Sequence, residues 1–132
     1  YWYFIKYFKM DLLLKRAGLF CWNKMIDAIK NSIHKIISLC EDLKVEKLWI
    51  FGSATKSSFT AKSDVDFLVS FEKMKPEDYA ENYFLLAENL ENILNRKIDL
   101  VTVNSLSNPY FVEEVEKSKS LIYDKQSKKV LT

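Results

Sequence analysis

With 132 residues, 48% hydrophobic and 29% charged, the chain is long enough for one domain around one core and too apolar to remain unfolded. Twenty basic and 18 acidic residues leave a formal charge of +2, which excludes a surface broadly attracted to polyanions or acidic membranes and leaves any phosphate chemistry to a local site. Two cysteines, Cys21 and Cys40, exclude a disulfide framework and show no metal-ligand spacing, so reduced thiols and a cytoplasmic location are expected.

The first twenty residues, "YWYFIKYFKMDLLLKRAGLF", are rich in aromatics, but Lys6, Lys9, Asp11, Lys15 and Arg16 interrupt them too often for a membrane span. No small-residue cleavage pattern follows a clean apolar block, so a signal peptide is not expected either. Residues 1–24 read as a helical extension packed on the domain or on a partner; the alternative is an extension ahead of a natural start at Met10 or Met25 that contributes little to function. From Met25 to Leu43, Ile26, Ile29, Ile33, Ile36, Ile37 and Cys40 recur at spacings of three and four, which predicts an amphipathic helix. "KLWIF" (47–51) is a short buried strand stopped by Gly52, and "DVDFLVSF" (64–71) is a second strand. Pro76, with Glu77 and Asp78 behind it, opens a helix carried by Tyr79, Tyr83, Leu86, Leu90 and Leu94 to about Asn95. "KIDLVTV" (97–103) is a third strand, Asn108-Pro109 starts a helix through Val115, and "SLIYD" (120–124) is a last strand before a polar tail, 125–132. The expected class is α/β (α+β): a small mixed β-sheet flanked by helices, partly parallel with one antiparallel pair. The working domain spans 25–124.

The chemistry concentrates in "FGSATKSSFTAKSDVDFLVSF" (51–71). Glycine after a strand permits a backbone path or close approach that a side chain obstructs, and Ser53 adds a hydroxyl and an N–H, so Gly52-Ser53 is able to hold phosphate oxygens. The stretch lacks the Gly-Lys-Ser/Thr ending of the P-loop and the repeated glycines of the dinucleotide fingerprint. Asp64 and Asp66 stand at i and i+2, so on a strand both carboxylates leave the same face while Val65 faces the core. Two such charges repel, and the arrangement is costly unless a cation lies between them; Mg²⁺ suits an all-oxygen setting of this kind. Alone, an Asp-x-Asp is weak evidence. Asp99, however, interrupts another aliphatic strand on the face opposite Ile98 and Leu100. If that strand lies beside the 64–71 strand, three carboxylates converge as two-metal phosphoryl-transfer chemistry requires, with Asp99 as general base or as a ligand lowering the pKa of the nucleophile.

Gly52-Ser53, ten intervening residues and Asp64-Val65-Asp66 resemble the signature of the DNA polymerase beta type nucleotidyltransferase superfamily, and the chain looks most like its minimal nucleotidyltransferases. The similarity covers about residues 25–124 and extends to "EEVEKSKSLIYD", which is similar to the family's usual final helix and strand. The resemblance implies the nucleotidyltransferase fold, with the triphosphate on Gly52 and Ser53, Mg²⁺ on Asp64 and Asp66, a two-metal site completed by Asp99, and ATP as substrate. Many members carry arginine three positions after the serine; Lys56 stands there and meets phosphate as a point charge without the bidentate fork, and Lys62 is a second candidate. Minimal nucleotidyltransferases of this kind are similar to antitoxins that pair with HEPN-type ribonuclease toxins, which implies transfer of AMP to a toxin tyrosine. Two alternatives stand beside this: neutralisation of the partner by stoichiometric binding with a vestigial nucleotide site, and nucleotidylation of a small hydroxylated molecule. Only eight residues follow Asp124, so acceptor recognition falls to the core, the aromatic amino end or another protein.

The remaining features carry less. His34 has no second ligand at metal spacing. Trp2, Tyr3, Trp22 and Trp49 are expected in packing rather than base stacking, and Lys125, Lys128 and Lys129 only solvate the tail. Neither a membrane nor a nucleic acid is expected as a partner, and homo-oligomerisation stays open.

Overall fold

The computed structural model describes residues 21–51 and 63–127. Helix α1 occupies 21–31 and, after a turn at Ser32, α2 (Ile33–Asp42) continues to a tight connection through Lys44, whose φ of 56° is left-handed. The single helix expected from Met25 is thus two. Ser32 keeps the ladder nearly whole, its N–H reaching the carbonyls of Ala28 and Ile29 and its carbonyl accepting from Ile36. Then follow β1 (Val45–Phe51), β2 (Val65–Phe71), α3 (Pro76–Leu94), β3 (Ile98–Thr102), a 3-10 turn (Val103–Ser105), α4 (Pro109–Ser118) and β4 (Ser120–Asp124).

Both later helices begin on proline, whose missing N–H costs nothing in the first turn. Glu77 and Asp78 face the positive end of α3, and the Asn108 side chain accepts from the Tyr110 N–H at the start of α4. Asn95 closes α3 in the left-handed conformation, its N–H returning to the Glu91 carbonyl.

The sheet order is β3-β2-β1-β4. The α3 crossover makes β2 and β3 parallel, while β1 runs antiparallel to both β2 and β4. There are therefore two antiparallel pairs, not the one expected: α4 recrosses the sheet and delivers Ser120 beside Ile50, so β4 runs back along β1.

The main core fills one face. Strand residues Leu48, Ile50, Val65, Phe67, Val69, Ile98 and Leu100 alternate onto it and meet Ile29 of α1, Ile36 and Cys40 of α2, and Leu86 and Leu90 of α3. Of the expected apolar stripe, Ile29, Ile36 and Cys40 are buried, and Ile26, Ile33 and Ile37 pack against its rim. Trp22 and Met25 of α1 are both core residues. On the opposite face a smaller cluster of Phe51, Leu68 and Val115 is lined by Trp49, Val101 and Leu106. Lys125, expected only to solvate the tail, instead prolongs the β1–β4 pairing by donating its N–H to the Glu46 carbonyl at 3.0 Å, and its ammonium pairs with Glu72.

Candidate active site

The period of two in β2 and β3 decides where their acids go. Val65, Phe67 and Val69 must face the main core, so Asp66 and Leu68 face the other side; Ile98 and Leu100 do the same for Asp99 and Val101. Parallel pairing then sets Asp66 directly opposite Asp99, and antiparallel pairing sets Phe51 on the other flank of Asp66. Phe51, Asp66 and Asp99 form one row across three strands, and neighbouring strands lie about 4.8 Å apart. Asp64 stands exposed just before β2, two residues ahead of Asp66.

Asp66 is half-buried and its carboxyl is pushed up from an ordinary 3.8 to about 6, first by burial, then by the charge of Asp99, then by that of Asp64. The charges of Asp99 and Asp64 both act on Asp66, where their repulsion disfavours the ionised carboxyl. The all-oxygen chemistry of the three acids fits a hard divalent cation. Among the described residues no group of three acidic, histidine or cysteine side chains is placed to hold a metal ion, so what the three acids share is register and charge rather than a ligand set.

Arg96 is a contributor that the sequence reading did not single out. Its Nε and a terminal nitrogen both donate to the Ser63 carbonyl, at 3.0 and 2.8 Å, and the Val65 N–H donates to the Lys97 carbonyl at 3.2 Å. Together these fix the approach to Asp64 and the register of Asp66 on Asp99. The available signal was an arginine at the head of "RKIDL", next to an acid-bearing strand.

Gly52, Ser53, Lys56 and Lys62 lie outside the described residues, as do residues 1–20, with Trp2, Tyr3 and Met10, and 128–132, with Lys128 and Lys129. Phe51, the residue before Gly52, is described, and it flanks Asp66. His34 is exposed on α2, on the helical layer rather than in the acid row. Trp22 is in the core and Trp49 lines the smaller cluster under the Lys119 ammonium, 5.0 Å from the ring centroid.

A mixed sheet that carries paired aspartates on its thinly covered face, beside the end of a preceding strand, has the layout of a nucleotidyltransferase. The family model described as "Polymerase beta, Nucleotidyltransferase" matches residues 34–128, and the chain belongs to that family. Among its relatives in Methanocaldococcus jannaschii, two whose names mark them as candidate protein adenylyltransferases are 36% identical over 101 residues and 39% identical over 102 residues, each match covering 76% of this chain and 98% of the relative. A solved minimal nucleotidyltransferase superposes with a TM-score of 0.56 at 26% identity, covering 72% of this chain and 93% of that one. A toxin–antitoxin complex with AMP-PNP superposes at 0.52 and 23% identity, covering 72% of this chain and 75% of that one. A Shewanella oneidensis complex of a tri-AMPylated HEPN toxin with an MNT antitoxin gives 0.50 at 22%, covering 74% of each chain. The last two show likeness of fold.

Proposed function

We propose that this nucleotidyltransferase is a Mg²⁺-dependent protein adenylyltransferase that acts as an antitoxin, moving AMP from ATP to a tyrosine of a HEPN-type toxin. The observation that carries the reading is the direct pairing of Asp66 with Asp99 on an open sheet face, with Asp64 close enough to raise the Asp66 carboxyl further. The names of the relatives and the toxin–antitoxin likeness support the choice of acceptor. Asp64, Asp66 and Asp99 would hold the metal, which when bound supplies charge neutralisation for the triphosphate and a lowered pKa for the nucleophile. Gly52 and Ser53, following Phe51 in sequence, would receive the triphosphate, with Lys56 meeting phosphate as a point charge. Arg96 holds the Ser63 carbonyl and so keeps the start of β2 in place.

In the reaction the tyrosine Oη attacks the α-phosphorus in line with the bond to the bridging oxygen. A new Oη–P bond forms, the bond from the α-phosphorus to that oxygen breaks, and pyrophosphate departs. The phenolic proton passes to Asp99 or to water.

The test is to incubate the chain with ATP, Mg²⁺ and the product of the neighbouring gene and weigh that product. An AMP-sized gain on a tyrosine, abolished in an Asp64→Asn, Asp66→Asn double variant, is the expected result. No gain counts against the enzymatic reading, and protection retained by the double variant favours neutralisation by binding alone.

A further inference from the structure

Helix α3 carries five acids, Glu77, Asp78, Glu81, Glu88 and Glu91, and no basic residue. Phe84 lies among them 68% exposed. Glu81 and Glu88 are three residues before it and four after it, and Glu77 is one further turn back, so all three share its outward face. A large aromatic held in water on a uniformly negative helix face is not explained by the core beneath, which α3 serves through Leu86, Leu90 and Leu94.

Beside Phe84 opens a cavity of about 410 Å³, between α3 and the outer edge of β3. Tyr79, Tyr83, Leu100, Thr102 and Ser105 line it together with Phe84. β3 is the last strand of the sheet on this side, yet the sheet does not invite another strand here. The Lys97 carbonyl points inward to Val65, so by alternation the polar backbone groups of Ile98, Leu100 and Thr102 point outward. Three of those groups are already engaged: the Ile98 N–H donates to Glu91 at 3.4 Å, the Leu100 carbonyl accepts from the Tyr83 hydroxyl at 2.6 Å, and the Thr102 carbonyl accepts from Ser105 at 2.8 Å. An occupant of this groove enters with side chains, not as an added strand.

We infer that the groove between α3 and β3 is a docking surface for a basic segment of a protein partner, which seats an apolar side chain in the cavity against Phe84 and Tyr83 and sets lysine or arginine over Glu77, Glu81 and Glu88. A second copy of this chain is the poorer occupant, because a two-fold contact would bring two acidic helices together. The surface lies chiefly on the helical layer and reaches round the β3 edge to Val101, whereas Asp66 and Asp99 face the opposite side of the sheet.

This rests on the reading that the chain acts on a protein, and the product of the neighbouring gene is the probe. Its binding to the full chain is measured by calorimetry at 0.1 and 0.5 M NaCl for wild type, Phe84→Ser, and Glu81→Lys with Glu88→Lys, with thermal melts as a check that each is folded. Phe84→Ser and the charge reversal each weaken binding at least about tenfold, and the reversal also flattens the salt dependence. Wild-type affinity in both groove variants overturns the docking surface while leaving the antitoxin reading in place. No binding by wild type overturns both.

Discussion

Replacing Asp66 by asparagine removes a charge that the fold holds under strain, so it should stabilise the protein while disabling it. The Asp66 carboxyl rises from 3.8 to about 6 on folding. Converted at about 1.36 kcal/mol per pKa unit, that is about 3 kcal/mol of native-state cost once the group is ionised. Because Asp66 is only half-buried, solvent screening reduces this to about 1–2 kcal/mol. The sign follows from linkage: a raised native pKa means that the native state binds the proton more tightly, so the associated stability is complete below 3.8 and is lost as pH rises through 6. Asp66→Asn keeps its stability across that window. Urea unfolding at pH 7.5 should place its midpoint about 0.5–1 M above wild type, and the two curves should converge near pH 3.5. Pyrophosphate release should fall to background at every pH. If the variant is less stable than wild type at pH 7.5, or if the gap does not change with pH, then the crowding of negative charge around Asp66 is not as described.

Arg96→Lys keeps a positive charge but loses the forked pair of bonds to the Ser63 carbonyl; stability should fall by about 1–2 kcal/mol and turnover about tenfold, read by urea unfolding and by pyrophosphate release. Phe67→Ala opens a cavity at a fully buried position of the main core and should cost about 3–5 kcal/mol, enough to leave much of the chain unfolded at 37 °C by circular dichroism. Cys40 is fully buried with its thiol pushed up to about 12, chiefly by burial, so a thiolate-directed reagent should leave it unmodified in the native chain and label it only in denaturant; labelling of native Cys40 at a free-thiol rate contradicts the packing of α2 on the sheet.

Much of this architecture was legible because local patterns and global packing agree. The period-two alternation in "DVDFLVSF" and "KIDLVTV" assigns each aspartate to one face without knowledge of the neighbours, and α3 and α4 announce their starts with proline and α3 its end with asparagine. The break at Ser32 was not legible, since the apolar spacing continues across it and the ladder is only slightly disturbed. The second antiparallel pair depends on which edge β4 reaches after α4, a choice made by long-range packing that leaves no mark in the residues of β4 itself. Arg96 and Tyr83 escaped for a related reason. Each acts by giving a side-chain hydrogen bond to a backbone carbonyl, of Ser63 and Leu100 respectively, and any residue type would present that carbonyl.

The acid row and the main core occupy opposite sides of one sheet. In such a layout inheritance of shape and inheritance of chemistry are separable: a gene copy that drifts to asparagine at 64, 66 and 99 keeps every aliphatic residue that holds the domain together. Silent descendants of this protein should therefore persist as folded chains, and an intact core in a paralogue says nothing about whether it still turns over nucleotide.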